Sequence, residues 1–175
     1  MSFKLILIPL LTLGHMTLYD FSSESHTSDW YILDDVVMGG RSNGKFKITD
    51  DGFGMFYGKV SLENNGGFSS VRHQFKTKDV SRYSKIKLRI KGDGKTYQFR
   101  LKKNSEDKAS YIFEFKTSED WMLIEIPFSE MYPGFRGRRL NQPNFEGDIM
   151  SEIAFLIGNK KPQDFQLLID TIELK

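Results

Sequence analysis

The sequence predicts an all-β fold, a sandwich or a barrel. Three observations carry this. Residues 85–91, KIKLRIK, put Ile86, Leu88 and Ile90 on one face and Lys85, Lys87, Arg89 and Lys91 on the other. That is the period of two of a half-buried strand, whereas a helix would scatter the cations around its circumference. Short apolar runs are punctuated by Gly, Asn and Asp turn signals at intervals of about ten residues. Nowhere do apolar residues hold the 3.6-residue helical period for three turns.

Taken in order, LYDF at 18–21 reads as a short opening strand, and 22–29 as a polar connector. Apolar character resumes at Trp30 and Ile32, ahead of the segment DDVVMGGRS at 34–42. Ser42-Asn43-Gly44 reads as a turn, KFKIT at 45–49 as a strand, and Asp50-Asp51-Gly52 as another turn. The next strand, 54–62, carries Phe56, Val60 and Leu62 on one face, with Gly58 there as a point of close packing or a bulge. A second glycine-rich segment, NNGGFSSVR at 64–72, runs into a strand over 68–75. Ser69, Val71, His73 and Phe75 lie on one side of it; Phe68, Ser70, Arg72 and Gln74 lie on the other.

Gly92-Asp93-Gly94 is expected to close a hairpin after KIKLRIK. The returning strand points Tyr97, Phe99 and Leu101 inward and Gln98, Arg100 and Lys102 outward. A polar loop at 104–108 precedes strands through Tyr111, Phe113 and Phe115 and through WMLIEIPF at 121–128. Residues 129–148 hold Pro133, Gly134, Gly137, Pro143 and Gly147 among three arginines, and are expected to form one long irregular loop of the functional or mobile kind. Strands at 153–157 and 165–174 close the chain.

The length of 175 residues suits one domain, expected over 17–175. Fifteen phenylalanines argue for a sheet-rich core and against disorder. The net charge of +2 is too small to imply nucleic acid. The absence of cysteine excludes disulfides, thiolate catalysis and cysteine-ligated zinc. No two of His15, His26 and His73 have metal-ligand spacing, and the acidic turns at Asp50-Asp51 and Glu106-Asp107 lack calcium-ligand spacing. No metal or cofactor is therefore expected. Lys4 and the apolar run LILIPLLTL at 5–13 fit the start of a signal peptide and are too short to span a bilayer. Residues 1–16 thus read as an export signal or membrane-proximal leader, compatible with peripheral membrane association; the alternative is a cytoplasmic chain.

Trp30, Asp35, the run Val37-Met38-Gly39-Gly40-Arg41-Ser42, Phe56, Gly58, Asn65-Gly66-Gly67-Phe68, Ser70 and Arg72 together resemble the complex I intermediate-associated protein family. The resemblance continues through Gly92-Asp93-Gly94, Tyr97, Arg100, Trp121, Pro127-Phe128 and Arg136-Gly137, and covers the chain from about residue 17 to its end. It implies a jelly-roll β-sandwich of two antiparallel sheets, of the galactose-binding-domain type. It also implies a non-catalytic module, since the best-known members help to assemble respiratory complex I in mitochondria.

Candidate site residues fall into three groups. Asp35, Arg41, Ser42 and Asn65 belong to the glycine-rich segments, where glycine amides beside a guanidinium could hold an anion or polar ligand. The alternative is architectural: Asp35 caps the turn and Arg41 pairs with it. Phe68, Arg72 and Arg100 lie on outward strand faces, where an aromatic beside polar groups suits a sugar or a partner side chain; the alternative is a solvated face. Arg136, with Arg138, Arg139, Phe135 and Tyr132, suits a partner contact on its loop. The lysines of 85–91 lack interleaved aromatics, which speaks against nucleic acid. No nucleophile elbow, phosphate-cradling loop or dinucleotide fingerprint is present. The sequence thus favours a protein partner, an assembly intermediate, with carbohydrate binding as the alternative and an unrecognised hydrolase as a third reading.

Overall fold

The computed structural model describes residues 14–175. The expected leader lies largely outside these residues. The first strand, β1 (Met16–Asp20), begins one residue before the expected domain boundary. It is followed by β2 (Tyr31–Asp34), β3 (Asn43–Ile48), β4 (Gly54–Val60), β5 (Ser69–Asp79), β6 (Lys85–Lys91) and β7 (Thr96–Lys102). Then come β8 (Ser110–Lys116), β9 (Trp121–Pro127), β10 (Tyr132–Phe135), β11 (Arg138–Arg139), β12 (Ile149–Ile157) and β13 (Gln163–Leu174). Short 3-10 turns at Thr27–Asp29, Asp35–Met38, Glu63–Asn65 and Phe128–Glu130 complete the elements. Among the described residues no helix is long and apolar enough to cross a membrane.

The strands build a jelly-roll sandwich of two antiparallel sheets. The first sheet has the order β3-β4-β13-β6-β9, with β1 paired to the far end of β13; the second has the order β11-β10-β8-β7-β12-β5-β2. Most connections cross from one sheet to the other. Apolar side chains from the inner faces fill the space between: Phe56, Ile86, Leu88, Ile90, Tyr97, Phe99, Ile153, Phe155, Leu167 and Ile172 are all fully buried. KIKLRIK behaves as its alternation requires, its three aliphatic residues inside and its cations outside.

Two register shifts keep apolar residues inside. In β13 a shift between Ile169 and Thr171 lets Phe165, Leu167 and Ile169 face the core and then resets the alternation for Ile172 and Leu174. In β12 a shift between Met150 and Glu152 allows Met150 and Ile153 both to be buried in the core. The same shift sets Glu152, Ala154 and Leu156 on the outer face of the second sheet.

Several expectations are corrected. Gly92-Asp93-Gly94 does not close a hairpin, because β6 pairs with β9 and β13 while β7 pairs with β8 and β12. It is a crossing between sheets, pinned by Asp93, which accepts from Tyr97 Oη (3.2 Å), Lys95 Nζ (2.8 Å) and the Gln166 amide (2.9 Å). Asn43-Gly44 is not a turn but the start of β3, paired with Lys59 and Gly58. Leu62 lies beyond β4 and is exposed. The stretch 129–148 is not wholly irregular: Tyr132, Pro133 and Gly134 pair with β8, and β11 folds back on β10. The turn joining them, Arg136-Gly137, has positive φ at both residues (48° and 75°), the geometry of a type I′ hairpin loop.

Candidate functional site

The two glycine-rich segments meet, and Asp35 is where they meet. Its side chain is fully buried. Its carboxylate accepts from the Ser42 amide (3.0 Å), Ser42 Oγ (2.5 Å), the Gly67 amide (2.5 Å) and the Phe68 amide (3.1 Å). Burial alone would raise the pKa of this carboxyl. The donors from Ser42, Gly67 and Phe68 outweigh that and hold it below the ordinary aspartate value. The neighbouring Asp34 accepts from Ser69 Oγ (2.5 Å) and the Gly44 amide (2.8 Å). The glycines are required by these carboxylates. A Cβ at Gly40 would stand 2.3 Å from one Asp35 oxygen, and one at Gly66 would stand 2.6 Å from the other.

Arg41 does not pair with Asp35; it pairs with Glu63 at 3.0 Å, with both side chains largely exposed. Asn65 is an exposed left-handed turn residue (φ 60°). Phe68 precedes β5 and is half-buried, its backbone tied to Asp35 at both the N–H and the carbonyl. Asp34 and Asp35 are both occupied by protein donors, which leaves no free carboxylate pair here for glycoside hydrolysis.

The outer face of the second sheet is a different environment. Cross-strand partners place Tyr31, Arg72, Ala154, Arg100, Ile112 and Tyr132 in one row across five neighbouring strands plus β10. Arg72 and Arg100 are thus on one face, as the strand alternation requires, but β12 separates them. One row away stands Glu152, only 2% exposed. It accepts from Arg72 (2.9 Å), Gln74 Nε2 (2.8 Å) and Tyr31 Oη (3.1 Å), with Lys102 Nζ at 3.7 Å. Burial first, and then the Glu152 charge, push the Tyr31 hydroxyl up to about 12, so it stays a proton donor.

Arg100 is half-buried and binds the Gln98 Oε1 oxygen through Nε (2.9 Å) and a terminal nitrogen (2.5 Å). Among the described residues no carboxylate lies within salt-bridge distance of it. Burial, reinforced by the nearby charge of Arg72, lowers its pKa to about 10. Gln98 in turn donates to Glu114 (2.7 Å). Beyond Tyr132, the Arg139 guanidinium lies over the tyrosine ring, 4.9 Å from its centroid, and Arg136 lies 5.3 Å from the Phe135 ring at the hairpin tip.

Gln98 and Glu114 also line an open cleft of about 490 Å³ at the end of this face, with Lys95, Lys116, Asn159 and Lys161. Among the described residues no group of three or more His, Cys, Asp or Glu is arranged to hold a metal ion. Sequence reasoning missed Tyr31, Glu152, Ala154 and the cleft lysines. Only Glu152 carried a usable signal, a lone charge inside the apolar run IMSEIAFLI.

The family model for complex I intermediate-associated protein 30 (CIA30) matches residues 19–169. An uncharacterised protein of Schizosaccharomyces pombe is 26% identical over 170 residues, covering 84% of this chain and 78% of that one. Among solved structures, the family 11 carbohydrate-binding module of a Clostridium thermocellum cellulosomal cellulase has a TM-score of 0.71 at 19% identity, covering 92% of this chain and 94% of its own. The same family 11 module in complex with a β-1,3-1,4-mixed-linked tetrasaccharide gives 0.70 at 20% identity, covering 92% and 95%. A family 29 carbohydrate-binding module gives 0.55 at 8% identity, covering 93% and 91%. These likenesses agree with the jelly-roll architecture. The family match spans the Asp35 clamp, both arginine-bearing strands and the β10–β11 hairpin, and the chain belongs to the complex I intermediate-associated protein 30 family.

Proposed function

We propose that the chain is a non-catalytic binding module that engages a protein partner through the outer face of its second sheet. The row Tyr31–Arg72–Ala154–Arg100–Ile112–Tyr132 carries this reading. Tyrosine and arginine are the residues most enriched where interfaces concentrate their binding energy. Here two of each flank a small and an aliphatic residue on one rigid surface. Arg136 and Phe135, on the turn beyond Tyr132, extend the contact. Asp35 and Ser42 then serve the surface indirectly, by fixing the connection that leads into β5. The family match supports a partner of the assembly-intermediate kind.

The test is cross-linking and affinity capture from the source cell, comparing wild type with Tyr132→Ala and Arg136→Glu. Both variants should keep the wild-type melting temperature to within a few degrees and lose the captured protein by about tenfold or more. Full capture by both variants would reject the surface.

Carbohydrate is the second reading. It is favoured by Tyr31 and Tyr132 standing at opposite ends of the row, and by the tetrasaccharide bound to a module of similar fold. Titration with a mixed-linkage β-glucan oligosaccharide addresses it; no binding at millimolar concentration removes it.

A further inference from the structure

We infer that the partner presents an acidic, extended peptide segment, one carboxylate received by Arg100 and further ones by the cleft lysines Lys116 and Lys161. This rests on the protein-partner reading above and names the chemistry of the contact.

The first observation is an imbalance. Neighbouring cations find carboxylates within the chain: Arg72 and Lys102 with Glu152, and Lys103 with Asp148 at 2.7 Å. Arg100 sits among them with its charge partly desolvated and, among the described residues, only an amide oxygen to receive it. A guanidinium has five N–H donors in a planar fork, matched to a carboxylate. Two are spent on Gln98, and the rest suit an acidic group from outside.

The second observation is the cleft. Gln98 stands two residues from Arg100 on the same strand face and opens into it. Lys95 is taken by Asp93 at 2.8 Å. Lys116 and Lys161 are exposed, and among the described residues neither has a carboxylate within 4.0 Å. Among the described residues Glu114 is the one carboxylate lining the cleft, so positive charge is in excess from Arg100 to Lys161. Among the described residues no aromatic lines the cleft. A neutral sugar or a nucleic-acid base would want a ring to stack on; an acidic peptide needs only cations and hydrogen-bond partners. Alternate side chains of an extended peptide recur about every 7 Å on one side, so several carboxylates can face the same track.

The experiment uses the full chain and three probes: poly-L-glutamate, polygalacturonate and neutral mixed-linkage β-glucan. Wild type is compared with Arg100→Gln, with Lys116→Gln/Lys161→Gln, and with Lys45→Gln/Lys47→Gln on the other sheet as a charge-matched control. Wild type should bind poly-L-glutamate, more weakly as salt rises. Arg100→Gln should weaken binding about tenfold or more, the cleft pair about threefold to tenfold, and the control pair less than twofold. No binding of poly-L-glutamate, or an equal loss in the control pair, overturns the inference. Binding of polygalacturonate alone, dependent on Arg100, overturns the peptide and assigns the track to an acidic glycan. Capture of a cellular partner that is sensitive to Tyr132→Ala but indifferent to Arg100→Gln overturns this inference and leaves the protein-partner reading standing. Binding of neutral glucan without any captured protein defeats both.

Discussion

The Asp35 clamp and the Arg100 face both bring a charge out of water, and they treat it in opposite ways. At the clamp one carboxylate receives four hydrogen bonds from two segments about thirty residues apart, and the glycines around it leave no room for anything else. At the face a guanidinium is partly desolvated beside a second arginine, with a glutamine as its one hydrogen-bond partner among the described residues. A satisfied buried charge holds a fold together. An unsatisfied one lowers stability and is retained where something else completes it. By that criterion the glycine-rich segments serve the architecture, and the sheet face is where we propose that a partner binds.

The largest effect expected is at the clamp. Asp35→Ala leaves the Ser42, Gly67 and Phe68 donors unpaired in a buried setting, and should cost about 3–4 kcal/mol in urea unfolding. The carboxyl is depressed in the folded state, so the unfolded chain binds the proton more tightly. Its contribution is therefore complete above the ordinary aspartate value of 3.8 and is lost as pH falls through the lower folded value. Asp35→Asn should remove this part of the acid sensitivity. A wild-type acid profile in Asp35→Asn would show that the carboxylate charge does not hold the two segments.

Arg100→Gln sharpens the contrast because its sign is opposite. It removes a partly buried cation that Arg72 repels, and Gln98 keeps its bond to Glu114. Stability should rise by about 0.5–1 kcal/mol in the same urea assay. A loss above about 1 kcal/mol would mean that Arg100 is structural, and the two regions would no longer differ in kind.

The sequence showed one of these regions better than the other. Strands such as 85–91 were legible because alternation is a local pattern that burial enforces. The hairpin at β10–β11 was hidden because Pro133 and Gly134 are poor strand residues away from an edge, and here they lie near the sheet's end. Gly92-Asp93-Gly94 carried the chemistry of a tight turn, but that chemistry is the same whether the chain returns to its own sheet or crosses to the other. The meeting of DDVVMGGRS and NNGGFSSVR could be suspected from their likeness. What joins them could not, because Asp35 is held mostly by backbone amides, and a backbone amide has no signature in sequence. Arg72 and Arg100 were placed on outward faces by alternation alone. That they share a row needed β12, and with it Ala154 paired to both.

Arg41 gives the smallest effect and tests the clamp from its edge. The residue is in the same motif as Asp35, and a guanidinium so close in sequence is the natural counter-ion to expect. The structure gives it Glu63 instead, at 3.0 Å, with both side chains in solvent. An exposed pair of this kind is screened and costs side-chain entropy to hold, so it contributes little. Arg41→Ala should therefore change unfolding stability by no more than about 0.5 kcal/mol, and the change should shrink further as salt is raised. It should also leave the acid profile of the wild type intact, since Asp35 owes its lowered pKa to Ser42, Gly67 and Phe68 and not to a neighbouring charge. If Arg41→Ala instead shifted that profile as far as Asp35→Asn, the arginine would be part of the clamp, and the motif would hold its carboxylate by charge as well as by hydrogen bonds.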